Sequence, residues 1–134
     1  MWALTTSYPF MPQKIYKRKI YDSILRWKQE RNGSTALLIK GARRVGKSTI
    51  AKEFAKNEYK SFISIDFAKA SDAVKGLFDN IDNMDYLFLQ LQALYHVTLH
   101  ERNSVLIFDE IQLCPKARQA IKYLVEDGRY DYIE

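Results

Sequence analysis

The chain has 134 residues, of which 47% are hydrophobic and 28% charged, a balance that suits one folded domain and excludes fibrous and intrinsically disordered classes. No apolar run approaches the roughly 20 residues of a transmembrane helix, and the N-terminus lacks the pattern of a signal peptide. The single cysteine, Cys114, excludes an internal disulfide. We therefore expect a cytoplasmic protein that does not associate with membranes.

The net charge of +5 is concentrated near the N-terminus. Residues 1–31 contain seven basic and two acidic side chains, whereas residues 32–134 contain fourteen of each. A partner with an acidic surface, either a nucleic acid or a protein, would meet residues 14–31 first. A solvated helix face beside the domain is the simpler interpretation of the same residues.

The first 33 residues predict a lead-in followed by a helix. Residues 1–13 contain two prolines among aromatic residues, which indicates an extended segment. From Tyr16 to Asn32 the apolar residues Ile20, Ile24 and Trp27 recur at helical spacing, with charged residues between them.

Four apolar segments then predict strands that alternate with helices: Ala36–Lys40, Ser61–Asp66, Ser104–Phe108 and Tyr130–Glu134. Helices are predicted over Lys47–Asn57 and from Pro115 to Gly128, where a proline and a glycine mark the two ends. The apolar residues of Tyr86–Leu99 fit both the alternation of a strand and the spacing of a helix. We favour a helix because a strand of that length would be unusual. Alternating strands and helices indicate a three-layer α/β fold with a mostly parallel sheet.

A phosphate-binding motif follows the first buried strand. Gly41 and Gly46-Lys47-Ser48 stand at Walker A spacing, and the whole segment includes Gly41, Ala42, Arg43, Arg44, Val45, Gly46, Lys47, Ser48 and Thr49. Backbone amides of such a loop and of the following helix converge on phosphate oxygens. We expect Lys47 to lie between the β- and γ-phosphates of ATP, Ser48 to ligate Mg²⁺, and Thr49 to help at the α-phosphate.

An acidic pair follows the third buried strand. Four apolar residues lead to Asp109 and Glu110, which matches the Walker B pattern. Asp109 is predicted to hold Mg²⁺ through water, because this hard cation prefers oxygen ligands. Glu110 is predicted to orient and deprotonate the attacking water.

Other polar residues near these motifs receive plainer interpretations. Gln112 could sense the γ-phosphate, but an ordinary loop role is the simpler reading. Asp66 ends the second predicted strand and is assigned to a turn or cap. His96 and His100 would share a helix face, yet the sequence offers no third ligand at recognisable spacing for a metal.

These motifs together resemble a family of AAA-like P-loop ATPases of bacteria and archaea. The resemblance covers most of residues 16–134 and rests on Tyr16–Lys28, Leu38–Thr49, Ile65–Phe67 and Leu106–Gln112. It implies an additional-strand sheet of order 5-1-4-3-2 and ATP hydrolysis with Mg²⁺. Family members continue into a polar sensor residue, a fifth strand and a C-terminal domain.

On that basis we expect residues 1–33 to form a lead-in and a basic helix, and residues 34–134 to form an ATPase core that is C-terminally incomplete. The missing fifth strand would leave Ala36–Lys40 at a sheet edge. The full-length protein could form a homo-oligomer. Two alternatives to hydrolysis remain: a nucleotide-binding or interaction module without turnover, and a small-molecule kinase.

Overall fold

A computed structural model of the protein describes residues 2–5, 13–39 and 46–134. Its strands and helices alternate along most of the chain, as the sequence predicts. The strands are β1 (Trp2–Thr5), β2 (Ala36–Ile39), β3 (Ser61–Asp66), β4 (Ser104–Asp109) and β5 (Asp131–Ile133), and the helices are α1 (Gln13–Arg31), α2 (Lys47–Glu58), α3 (Asp72–Gly76), α4 (Met84–Tyr95) and α5 (Pro115–Asp127).

The strands form one sheet of order β1-β2-β5-β4-β3, and every pairing within the described residues is parallel. β5 lies between β2 and β4, as the family resemblance implies. The prediction that Ala36–Lys40 would lie at a sheet edge is wrong, because β1 pairs with β2 over its whole length, from Trp2 with Ala36 to Thr5 with Ile39. The N-terminal segment is therefore partly a strand, and it satisfies backbone groups of β2 that would otherwise face solvent.

Alternate residues of the central strands build two separate cores. On one face, Leu37 and Ile107 pack in a buried cluster with Ile24 of α1 and Phe54 of α2. On the other, Phe108 packs in a second buried cluster with residues of α4 and α5. A strand with consecutive apolar residues, such as Val105 to Phe108 of β4, is buried on both faces in this way. The protein is therefore a three-layer α/β structure.

The longest described helix, α1, buries Ile20, Ile24 and Trp27 and exposes most of its basic side chains. Trp27 also donates from its indole N–H to the backbone oxygen of Thr35, which ties the helix to the start of β2. A partner for the basic residues of 14–31 stays a prediction. Within the described ranges, no helix is long and apolar enough to cross a membrane.

The prediction that one helix would extend over Tyr86–Leu99 is wrong at its C-terminal end. α4 ends at Tyr95, and His96 has a left-handed backbone with a φ of 54°. The Gln92 side chain then accepts a hydrogen bond from the backbone N–H of Leu99 at 2.8 Å, so the chain turns toward β4. A side-chain acceptor within α4 therefore stabilises a bend that helical periodicity does not reveal.

Candidate functional site

Two predicted site residues from distant parts of the sequence are in direct contact. The Ser48 hydroxyl donates a hydrogen bond to Asp109 Oδ1 across 2.8 Å, joining positions 61 residues apart. Ser48 lies in the first turn of α2, and Asp109 is the last residue of β4. Parallel strands followed by helices bring such termini to the same edge of the sheet.

The end of the phosphate-binding motif has a left-handed backbone at Gly46. Gly46 has a φ of 73° and precedes α2, and its carbonyl accepts the helix bond from the N–H of Ile50 at 2.9 Å. Glycine adopts this left-handed conformation at little cost, whereas other residues are strained by it. Lys47 and Thr49 lie with Ser48 in the first turn of α2. Gly41, Ala42, Arg43, Arg44 and Val45 lie outside the described residues.

Glu110 follows Asp109 in an unusual conformation. Its φ of 54° and ψ of 41° are left-handed, which is uncommon for a residue other than glycine, asparagine or aspartate. The chain then forms a short 3₁₀ turn over Ile111–Leu113, and the N–H of Leu113 bonds the Glu110 carbonyl at 3.0 Å. Within this turn Gln112 Nε2 donates to Glu110 Oε2 at 2.6 Å. Backbone strain of this kind is concentrated at functional sites in proteins.

A pocket opens at this edge of the sheet, and its walls include Lys47, Ser48, Asp109, Glu110 and Gln112. The predicted lysine, hydroxyl and carboxylates therefore surround one space. The same pocket is also lined by Arg118 and Glu134, which the sequence analysis did not single out.

The two additional residues form an ion pair at the side of the pocket. Arg118 Nη1 lies 2.7 Å from Glu134 Oε1, and the Glu134 side chain is almost fully buried. Burial raises the pKa of Glu134, while the neighbouring Arg118 guanidinium partly counteracts that shift. The position of Glu134 directly after β5 could have predicted its place at the pocket, because side chains at the carboxyl ends of parallel strands meet at this edge. No sequence pattern indicated Arg118.

The remaining candidates lie apart from this pocket. Asp66 pairs in register with Asp109, and its Oδ1 accepts from the N–H of Ala68 at 3.0 Å, which fits the predicted turn role. His96 follows the end of α4 as its C-cap, and His100 lies in the loop after it, so the two do not share a helix face. In the described part of the chain, no three His, Cys, Asp or Glu residues are grouped as a metal site.

This three-layer α/β fold with its parallel sheet is that of the P-loop nucleotide-binding class. Within that class, a family model described as an AAA domain matches residues 33–134, and the chain belongs to this AAA domain family. Membership indicates a nucleotide-binding, ATPase-like function. No curated protein and no solved structure matches the chain.

Proposed function

We propose that the protein binds ATP together with Mg²⁺ and hydrolyses it to ADP and phosphate, which would make it an enzyme of the EC 3.6 type. The observation that carries this proposal is the hydrogen bond between Ser48 and Asp109. It unites the end of the phosphate-binding motif with the acidic pair that follows β4. Neither motif alone supports hydrolysis as strongly as their convergence at one pocket does.

In this proposal the phosphate chain of ATP lies against the N-terminus of α2. The segment Gly41–Thr49 supplies backbone N–H donors, and the unpaired amides of the first helical turn carry partial positive charge toward the phosphates. The Lys47 ammonium adds a full positive charge at the β- and γ-phosphates. Lys47 lines the same pocket as Ser48, which supports this assignment.

The donor set fits Mg²⁺. A serine hydroxyl and a carboxylate are hard oxygen ligands, and their oxygen atoms are already 2.8 Å apart at the pocket wall. Mg²⁺ commonly uses one or two protein oxygens and completes its coordination with water and substrate phosphate, so a cluster of three acidic side chains is not required. Ser48 and Asp109 would hold the cation, which when bound supplies positive charge against the phosphate oxygens.

Glu110 is assigned as the general base. It would accept a proton from a water molecule as the water oxygen bonds to the γ-phosphorus, while the bond from that phosphorus to the bridging oxygen of ADP breaks. The atoms balance as ATP and water giving ADP, phosphate and a proton. The position of Glu110 immediately after Asp109, at the same pocket, supports this role.

The proposal is tested by the fate of ATP labelled at its γ-phosphate. We expect labelled inorganic phosphate in the presence of Mg²⁺, and a large loss of ATP binding in Lys47→Ala. Lys56→Ala is the matched control, because Lys56 is an exposed lysine in the last turn of the same helix. Label on an added nucleoside or metabolite would instead support a kinase. ATP binding without any release of phosphate would support a binding module.

The proposed division of the chain assigns residues 1–33 to a lead-in with a basic helix and residues 34–134 to the ATPase core, against which β1 and α1 pack. A nucleic acid or protein partner at residues 14–31, and homo-oligomers of the full-length protein, are further proposals. Binding of DNA or RNA that weakens as salt increases would support the first of these.

A further inference from the structure

We propose that Gln112 is a positioning residue for Glu110, and this inference rests on the proposed function of the site. The two side chains meet at the pocket, where Gln112 Nε2 donates to Glu110 Oε2 across 2.6 Å. The contact fixes the carboxylate against rotation about its last side-chain bond, because one of its two oxygens is bound to a defined partner.

The backbone around Gln112 is anchored on both sides. Ile111 and Cys114 are buried in the core, and the N–H of Cys114 bonds the Ile111 carbonyl at 2.9 Å. Gln112 itself is exposed between these anchors. An exposed glutamine loses conformational freedom when it makes a defined hydrogen bond, so a rigid turn is needed to make the contact persistent.

The left-handed backbone of Glu110 also makes the contact with Gln112 persistent. A glutamate at a φ of 54° is held in an unfavourable conformation, and here the turn that follows it stabilises that conformation through the bond from Leu113 N–H to Glu110 O. At Glu110 the chain therefore turns away from the direction of β4. Backbone and side chain are both restrained toward one arrangement, which is what a general base needs before its substrate arrives.

The chemistry of the donor determines what the contact can do. An ionised carboxylate only accepts hydrogen bonds, so the amide nitrogen of Gln112 is the donor. The amide cannot take a proton from water itself, and therefore it acts only through Glu110. Gln112→Ala removes the contact, and Gln112→Glu replaces the donor by a second acceptor of nearly the same shape.

The test measures ATP turnover and ATP affinity separately. For Gln112→Ala we expect kcat to fall about tenfold, with the dissociation constant for Mg-ATP within about twofold of the parent value. Gln112→Glu should fall at least as far, because two carboxylates repel each other. Gln119→Ala, which alters an exposed glutamine on the next helix, should match the parent.

A second measurement separates positioning from a general structural effect. In a Glu110→Gln background, Gln112→Ala should cause no further loss, because residues that act as one unit are not additive. An additional loss in that background, an unchanged kcat in Gln112→Ala, or a large rise in the dissociation constant without a change in kcat would each overturn the inference.

The same series distinguishes failure of the inference from failure of the proposed function. If the parent releases no phosphate, the proposed function is wrong and the inference falls with it. If Glu110→Gln hydrolyses ATP as fast as the parent, the assignment of Glu110 as general base is wrong, and the inference falls with that assignment. If Glu110→Gln is inactive while Gln112→Ala equals the parent, only the positioning role is wrong.

Discussion

The Ser48 hydroxyl and the Asp109 carboxylate are joined by a hydrogen bond of 2.8 Å at the carboxyl edge of the sheet. The bond connects the first turn of α2 with the end of β4, so it links both predicted nucleotide motifs. Since the serine proton lies between the two oxygens, it would have to turn away when both oxygens face a cation. Under the proposed function, the pair would therefore have two arrangements, one without Mg²⁺ and one with it.

Ser48→Ala should raise the Mg²⁺ concentration needed for half-maximal ATP hydrolysis on the order of tenfold, because one oxygen ligand is lost. Asp109→Asn should raise it further, because a negative charge is lost as well. A Mg²⁺ titration at constant ATP measures both effects. Ser23→Ala is the control, since that hydroxyl donates to the backbone carbonyl of Lys19 within α1 at 2.9 Å. An unchanged Mg²⁺ requirement in both site variants would contradict the assignment.

Gly33→Ala should destabilise the protein on the order of 2 kcal/mol. Gly33 has a φ of 85°, and an added Cβ would lie 2.6–2.7 Å from the Arg102 guanidinium. Arg102 cannot easily withdraw, because it bonds Asp131 Oδ1 at 2.6 Å and the Gly128 carbonyl at 3.1 Å. Urea denaturation of the parent and of Gly33→Ala measures this change in the free energy of unfolding.

Two variants control this prediction. At Gly76, which has an ordinary helical backbone, an added Cβ would meet only Asp79 Oδ2, at 4.0 Å. Gly76→Ala should therefore change the free energy of unfolding by less than about 1 kcal/mol. In an Arg102→Ala background, Gly33→Ala should cost less than in the parent, because the clash is removed and only the backbone strain remains. Equal costs in the two backgrounds would refute the proposed contact.

Tyr59→Phe should make stability less sensitive to alkaline pH. Burial, and then the negative charge of Asp131, raise the pKa of Tyr59 well above its ordinary value. The folded protein therefore holds the phenolic proton more tightly than the unfolded chain does. This contribution is complete below about pH 10 and is lost as pH rises above that value.

Denaturant unfolding at several pH values above about 10 measures this effect. The free energy of unfolding of the parent should fall more steeply than that of Tyr59→Phe, by up to about 1.4 kcal/mol per pH unit. Tyr123→Phe, at an exposed tyrosine, should retain the slope of the parent. Identical slopes for the parent and Tyr59→Phe would show that Tyr59 does not titrate differently in the folded protein.

The sequence predicted the elements that local chemistry determines. The apolar runs of β2 and β4 indicated strands buried on both faces, Pro115 and Gly128 marked the ends of α5, and the confirmed boundaries follow these signals. The convergence of Ser48 and Asp109 was also expected, because parallel topology brings both to one edge.

The sequence did not predict features that depend on distant partners. β1 becomes a strand because the edge of β2 offers it backbone partners, although its four residues carry no strong strand pattern. Gln112 contacts the side chain of Glu110, whose backbone is left-handed, and no local sequence pattern indicated that conformation. Asp131 is buried with Tyr59, 72 residues away, a pairing that only the folded sheet creates.

The most direct test of the account is made on Glu110→Gln, with ATP affinity and phosphate release measured on the same preparation. We predict that the variant binds Mg-ATP within about twofold of the parent, because the phosphate-binding segment and the Ser48–Asp109 pair are intact, and that it releases phosphate at least about a hundredfold more slowly. Phosphate release at the parental rate, with parental affinity, would contradict the assignment of this pocket as a site of ATP hydrolysis through Glu110.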